Sequence, residues 1–488
     1  MSNSSQSARR ATRRHPHRVL AILCLAAFMA SLDVFIVNVA FPDIGRDFHG
    51  ESLSNLSWIL NAYAIVYAAL LVPLGRLADR YGRKAGFLVG LGVFTAASAA
   101  CAGAGSVWML VAFRVVQAAG AALLTPTSLG LLLAATPEEK RQRAVRIWAA
   151  SGALAAAAGP VIGGLLVSAS WRWVFLVNVP VGLLALVATV PAIPDSRDPR
   201  KGRLPDLAGA GLLVVAIGAL SLGLVKAPQW GWLSPQTLAG YAVTVVAVAI
   251  FWARSRTHHT PVVELGLLKV PAFAWSNVTA VAFSIGFAAS LLANVLWMQE
   301  VWGYSALRTG LAIAPGPLMV PIFAALATRL RLPVGRLAAL GCLLFGIGPV
   351  IVLSSIGATP HYLTEMLPGW LVGGIGVGLA LPTILSSATA DLPPARAATG
   401  SAVVNMSRQV GTVLGVSIMV ALIGSPHGFA AVHEGFRHTW WAIAVAAWVA
   451  AVAAFGMTPR AAGRDGAGRD GADRSLVDHE VVPVEATP

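Results

Sequence analysis

The chain has 488 residues, of which 57% are hydrophobic and 11% charged, whereas a soluble globular protein is about 45–50% apolar and about 25% charged. That balance points to a protein lying mostly in lipid. It excludes a disordered chain, a nucleic-acid binder built on basic loops and a string of soluble domains, so the net charge of +14 matters by position rather than by sum.

A membrane helix needs about 20 mostly apolar residues, and fourteen segments of the sequence meet that length. The first six run roughly 19–41, 57–75, 86–104, 108–133, 146–168 and 173–193 by this criterion. Two more lie at roughly 207–226 and 236–253. The last six lie at roughly 272–298, 307–328, 335–356, 365–390, 399–423 and 439–457. Charged stretches such as Asp195-Ser196-Arg197-Asp198-Pro199-Arg200-Lys201 separate them. The first apolar stretch is too long for a signal-peptide core and contains Asp33 and Asn38, so it reads as a retained helix.

Lys and Arg resist translocation and set orientation. With the N-terminus in the cytosol, the external loops hold only Arg46, Arg172, Lys226, Arg308 and Arg437, and Arg114 and Arg408 lie inside spans. All other basic residues then fall in cytosolic segments, which places both termini in the cytosol and predicts a multi-pass protein of the cell membrane. Trp171, Trp230, Trp232, Trp302 and Trp440 flank the external ends, as interfacial anchors would. Cys24, Cys101 and Cys342 sit in apolar runs without zinc-ligand spacing and read as small core residues.

Catalytic chemistry is not visible. The sequence has no phosphate-binding Gly-x-x-x-x-Gly-Lys-Ser/Thr loop and no Gly-x-Ser-x-Gly elbow. Gly374-Ile375-Gly376-Val377-Gly378 lies in an apolar helix, where small residues let neighbouring helices approach. His433-Glu434 is followed by His438, one residue too late for two metal ligands on one helical face, and is expected in a solvated external loop. The reading is a non-enzymatic protein with no cofactor or metal and no nucleic-acid partner.

A charged side chain at the bilayer centre costs about 2.5–3.5 kcal/mol on insertion scales, which makes it a functional candidate. Asp33, midway along the first span, is the deep acidic residue; Glu300 and Glu365 fall near external ends. Its alternatives are an ion pathway and a structural salt bridge. Arg114, Gln117 and Gly120, spaced three apart in the fourth span, share one face. Arg114 either serves that face or snorkels. Asn405, Arg408, Gln409 and Thr412, at offsets 0, 3, 4 and 7, form a polar stripe in the thirteenth span. Such a stripe faces a cavity or an interface, or bonds between helices.

These residues lie within longer patterns. Gly75-Arg76-Leu77-Ala78-Asp79-Arg80-Tyr81-Gly82-Arg83-Lys84, between spans two and three, resembles the signature loop of the major facilitator superfamily. Arg114-Val115-Val116-Gln117 with Gly120 resembles the fourth-helix motif of its proton-coupled members. Gly159-Pro160-Val161-Ile162-Gly163-Gly164 is similar to the motif of its antiporters. Leu32-Asp33-Val34-Phe35-Ile36-Val37-Asn38-Val39-Ala40, Trp171 through Pro180, and Arg408-Gln409-Val410-Gly411 narrow the likeness to the fourteen-helix drug:proton antiporter family. Two positions depart from it. Ala118 stands where the family has glycine after the motif glutamine, which predicts looser helix packing there. Thr328, in Leu326-Ala327-Thr328-Arg329, stands where the first copy of the loop has Asp79.

The resemblance implies an all-α major facilitator fold. Two six-helix bundles, 19–193 and 272–457, would flank an extra helix pair with its linkers over 194–271. A basic N-terminal tail, 1–18, and a polar tail, 458–488, expected to be disordered, would lie in the cytosol. It implies a monomeric secondary transporter that exports a hydrophobic or amphipathic small molecule, such as an antibiotic, in exchange for protons. The alternatives are the same fold moving a lipid, siderophore or amino acid, and an uncoupled facilitator or membrane sensor. By the same resemblance, Asp33, Arg114 and Gln117 carry proton coupling. Gly75, Asp79, Arg80, Gly82 and Arg83 form the cytosolic gate, with Asp79 meeting the start of span thirteen. Gly159, Pro160, Gly163 and Gly164 shape the antiporter helix, and Asn38 joins the stripe of the thirteenth span as a cavity or interface residue.

Overall fold

The computed structural model describes residues 16–194, 196, 204–424 and 428–458. The basic arm over residues 1–15, most of the Asp195–Lys201 linker and the polar tail from 459 onward lie outside the described residues. Among the described residues, fourteen helices are long and apolar enough to cross a membrane. They are α1 (His17–Asp47), α2 (Leu53–Tyr81), α3 (Arg83–Ala102), α4 (Val107–Ala135), α5 (Glu138–Val167), α6 (Trp173–Ala192) and α7 (Leu207–Trp230), followed by α8 (Pro235–Thr257), α9 (Pro271–Val301), α10 (Ala306–Ala327), α11 (Val334–Ser355), α12 (Leu367–Ala390), α13 (Arg396–Ile423) and α14 (Phe429–Met457). Helices are the form such segments must take, because lipid offers no partner for an open backbone N–H or C=O.

Close packing rests on small residues. A side chain on Gly120 of α4 would lie 2.7 Å from Phe94 N of α3, and one on Gly376 of α12 would lie 2.6 Å from Gly341 O of α11. The two helix pairs thus repeat one device in the two parts of the chain, since contact between backbones replaces the hydrophobic effect inside a membrane. The 374–378 glycine cluster is a packing feature of this kind: Gly374 abuts Gly316, and Gly378 abuts Val320 and Phe323. Ala118 is fully buried in α4 and does not loosen it, because Gly120 and Gly90 set the closest approach.

Two ends of the bundle are distinguished below: the terminal face, where α1 begins and α14 finishes, and the distal face opposite. Contacts between the first six and the last six helices run mainly through α2 with α13 and α5 with α10, with smaller ones from α1 to α9 and α10. The α7–α8 pair packs on itself, and α7 also touches α2 and α13.

Three expectations change. Helix α5 begins at Glu138 rather than near 146, with Glu138 and Glu139 in its first turn, where carboxylates complement the helix dipole. Helix α14 begins at Phe429 rather than near 439, so His433, Glu434 and His438 are helical and not in a loop. Glu434 pairs with Arg437 and His438 along that turn, and the His433 ring packs 5.8 Å from Trp297. The tryptophans divide: Trp230 and Trp232 are exposed as anchors should be, whereas Trp171, Trp302 and Trp440 are buried. Their indole N–H groups donate to Asp47, Gly357 O and Asn294 Oδ1. A span-end position fixes depth, but not whether a ring faces lipid or protein.

Candidate functional site

The deepest polar group is built from five helices. Asp33 of α1 is fully buried, and its carboxylate accepts every side-chain hydrogen bond it makes. Arg114 Nη1 of α4 donates to Asp33 Oδ2 at 2.5 Å. Gln117 Nε2, one turn further along α4, donates to Oδ1 at 2.9 Å. Asn178 Nδ2, near the start of α6, donates to Oδ1 at 3.0 Å. The sequence-predicted trio Asp33, Arg114 and Gln117 therefore meets in one place.

Around it stand residues that the sequence reading did not single out for a role. Ser98 of α3 accepts from Gln117 Nε2 at 2.8 Å and donates to Phe94 O, one turn back along its own helix. Arg114 Nη1 also reaches Gln117 Oε1 at 2.7 Å, and its Nε donates to Ile59 O of α2. The guanidinium lies 4.0 Å over the Tyr63 ring of α2 and 5.8 Å from the Phe175 ring, so aromatic faces replace water around the cation. Asn178 Oδ1 is buried without a partner. Tyr63 stacks on Tyr67 at 6.1 Å, which continues the cluster along α2 toward the middle of the molecule.

The stripe on α13 lies apart from this cluster. Arg408 Nη1 donates to Asn405 Oδ1 at 3.2 Å, and Thr412 Oγ1 donates to Arg408 O. All four stripe residues, Gln409 included, are partly exposed although they lie mid-helix. Asn38 does not join them; its Nδ2 donates to Val34 O on its own helix at 2.7 Å.

The antiporter-like segment of α5 is shared between two neighbours. A side chain on Gly159 would meet Phe35 Cβ at 2.6 Å, and one on Gly163 would meet Ile36 Cα at 3.1 Å, both on α1. Gly164 instead abuts Ala306 and Leu307 of α10, and Gly310 of α10 abuts the Pro160 carbonyl. Proline contributes by leaving a helix bond unmade and bending the axis. Further contacts seal the distal half. Asn61 Nδ2 of α2 donates to Ser221 of α7 and Ser417 of α13, each at 3.2 Å. Gln299 Nε2 donates to Val39 O at 3.0 Å, and Arg46 pairs with Glu300.

At the terminal face, Gly82 turns the chain from α2 to α3 with φ +128°, a conformation that side chains avoid. Gly75 packs against Pro126 of α4. Asp79 accepts from Arg83 Nε at 2.6 Å, and Arg80 lies 5.4 Å from the Tyr81 ring. In this conformation the ion partner of Asp79 is thus Arg83 rather than a group on α13. Thr328, at the corresponding place after α10, donates to Ala325 O and supplies no charge. Among the described residues, no three His, Cys, Asp or Glu side chains converge as a metal ligand set would.

Comparison with known proteins matches this architecture. Residues 23–416 match the Major Facilitator Superfamily. The chain is 33% identical over 410 residues to the methylenomycin A resistance protein of Streptomyces coelicolor, covering 83% of this chain and 85% of that one. It is 34% identical over 425 residues to the tetracenomycin C resistance and export protein of Streptomyces glaucescens, covering 85% and 77%. It is 34% identical over 406 residues to the multidrug resistance protein Stp of Mycobacterium tuberculosis, covering 82% and 74%. Among solved structures, a POT family transporter in complex with a thioalcohol-conjugated peptide superposes with a TM-score of 0.66 at 16% identity, covering 89% of this chain and 94% of that one. At that identity the likeness concerns the fold alone. The fourteen spanning helices and the family match together place this multi-pass membrane protein in the Major Facilitator Superfamily.

Proposed function

We propose that the protein exports an amphipathic small molecule of the antibiotic class from the cell in exchange for protons, with Asp33 as the proton-coupling carboxylate. The observation that carries this reading is the fully buried Asp33, held by Arg114, Gln117 and Asn178 inside the membrane-spanning part of the fold. Buried charges are paired because an isolated one is too costly. A proton arriving at Asp33 therefore does more than neutralise it: it removes the anion that holds Arg114. Proton binding is tied to rearrangement of α1 against α4, which is what coupling requires. The names of the relatives, resistance and export proteins for methylenomycin A and tetracenomycin C, support the substrate class and the outward direction.

The sparse basic residues of the distal loops support an external distal face, a cytosolic terminal face and residence in the cell membrane. The conformation is then closed on the external side by the α2–α13 and α5–α10 crossings and by the contact of α1 with α9. The two six-helix bundles rock about those crossings, and α7 and α8 stand beside them as the extra pair. The segment Gly75–Arg83 serves the opposite gate, where Asp79 exchanges Arg83 for the dipole at the start of α13 when the cytosolic side closes. The protein acts without a cofactor, on the proton gradient alone, and as a monomer.

The test is a susceptibility panel in an efflux-deficient host, followed by export of the drug it identifies from proteoliposomes with an imposed pH gradient. Uphill export should occur and should stop when a protonophore collapses the gradient. Extrusion that continues only downhill and ignores the gradient would replace the antiporter with a facilitator.

A further inference from the structure

Three charged side chains lie deep in the helices, and only two neutralise each other. Asp33 and Arg114 form their ion pair within the first six helices. Arg408, midway along α13, has no acidic partner among the described residues. Its one side-chain hydrogen bond there goes to the neutral Asn405, and its Nε is buried with no partner at all. A partly exposed cation so placed, with one donor buried and unpartnered, brings an uncompensated positive charge to mid-helix, and such groups mark substrate or ion pathways.

Its position points the same way. At 100° per residue, the stripe lies between two edges of α13. Gly411 and Gly415 abut Val281 and Ile285 of α9 on one side. Val413 packs with Ala64 and Ile65 of α2 on the other. The stripe therefore faces the space between the two halves, and its partial exposure mid-membrane fits a cleft rather than a packed interface. Tyr67 of α2 lies within electrostatic reach of Arg408 across that space, but its hydroxyl is engaged with Thr125. Among the described residues no acidic side chain pairs with Arg408, and the one carboxylate of α2, Asp79 near its terminal-face end, is engaged with Arg83.

We propose that Arg408 is an anion-recognition residue of the central cleft, and that the transported class is amphipathic molecules bearing a carboxylate or a comparably acidic group. Asn405, Gln409 and Thr412 surround that group with neutral polar contacts. The proposal rests on the export reading above and adds the charge of the cargo to it. Guanidinium suits the role because it stays charged and presents several donors in a fixed plane.

The test uses 1-pyrenebutyrate and its methyl ester, which differ in little but the charge. Binding is measured on the purified full chain in phosphatidylcholine nanodiscs, against protein-free discs. The acid should bind at least about tenfold more tightly than the ester, the worth of one charge-assisted hydrogen bond. Arg408→Gln should abolish that preference, and Arg408→Lys should keep part of it. Thr412→Asp, which supplies an internal carboxylate one turn away, should also weaken the acid while leaving Arg408 in place; it keeps the test decisive if Arg408→Gln does not fold. Equal binding of acid and ester, no binding of the acid, or a preference that survives Thr412→Asp and Arg408→Gln would overturn the assignment. Loss of the preference in phosphatidylglycerol discs would assign the site to a lipid headgroup and overturn it too. Failure of gradient-driven export with the binding preference intact would defeat the export reading and leave the anion site standing.

Discussion

Replacing Asp33 by Asn separates a coupling carboxylate from a structural salt bridge, and the structure sets the size of the effect. The substitution leaves Arg114 buried beside a neutral amide. Breaking a buried pair by removing one partner costs about 3–5 kcal/mol. The lower end applies here, because the new Oδ1 still accepts from Arg114 and because Asn178 Oδ1, now without a partner, can turn to accept from the new amide. A loss of about 3 kcal/mol should appear as a lowered melting transition of the purified protein, with folded material still recovered. The double variant Asp33→Asn/Arg114→Gln removes both charges and leaves no uncompensated buried ion, which is what makes the single variant costly. Its melting transition should return toward that of the parent. Export should not return. Measured in proteoliposomes, uphill transport should be absent from both variants, while downhill exchange of substrate persists in Asp33→Asn. Uphill export by the double variant at the parent rate would refute the reasoning and leave the pair a scaffold.

The gates give two further expectations. Gly164→Ala puts a methyl group 2.8 Å from Leu307 Cα across the halves, whereas Gly159→Ala meets only Phe35 and Leu32 of α1. With Arg46 and Glu300 replaced by cysteines in a background free of Cys24, Cys101 and Cys342, cross-linking at the distal face by a bifunctional thiol reagent that spans the former ion pair should fall severalfold in Gly164→Ala alone; equal yields in both variants would remove Gly164 from the gate. Asp79→Asn breaks a partly exposed i,i+4 pair worth about 0.3–0.5 kcal/mol, so thermal stability should hold while the export rate drops. Unchanged export would reduce Asp79 and its basic neighbours to setting topology.

The spans were legible because the bilayer imposes length and apolarity on every crossing, and their ends were less so because charged turns extend a helix beyond the lipid. Helices α5 and α14 both gained turns in this way, through Glu138 and Glu139 in one and Glu434 with Arg437 in the other. Asp33, Arg114 and Gln117 were visible because charge inside an apolar run is rare. Their partners were not. Ser98 satisfies itself on its own helix through Phe94 O, so its presence in a span costs little and signals nothing. Asn178 lay within the Trp171–Pro180 stretch that carried part of the family resemblance, but no spacing tied it to Asp33. The Asn61, Ser221 and Ser417 contact joins three helices far apart in sequence, and no periodicity reports a meeting of that kind. The α5 motif was visible as a whole, yet only the packing divides it into glycines that face α1 and residues that face α10.

That division bears on how a proton could move a gate. The Asp33–Arg114 pair lies wholly among α1, α3, α4 and α6, with Tyr63 of α2 over the cation, so opening the distal face need not break it. Among the described residues the distal closure contains no buried ion pair: Arg46 and Glu300 are each at least half exposed, and the rest is backbone approach and neutral hydrogen bonds. Such a closure is cheap to open, since no charge has to be resolvated. What joins the two is α1. Asp33 is followed by Phe35 and Ile36, which seat against Gly159 and Gly163, and then by Val39, whose carbonyl accepts from Gln299 of α9. In the proposed cycle, a proton that releases Arg114 frees α1 at the depth of Asp33, and α1 carries the change directly to its own contact with α9. It also carries it through one turn of α5 to Gly164 and the Pro160 carbonyl, where α10 rests. In that cycle the antiporter-like segment would work as a two-sided seat between the helix that binds the proton and the helix that closes the outside, with glycine at the close approach on each side.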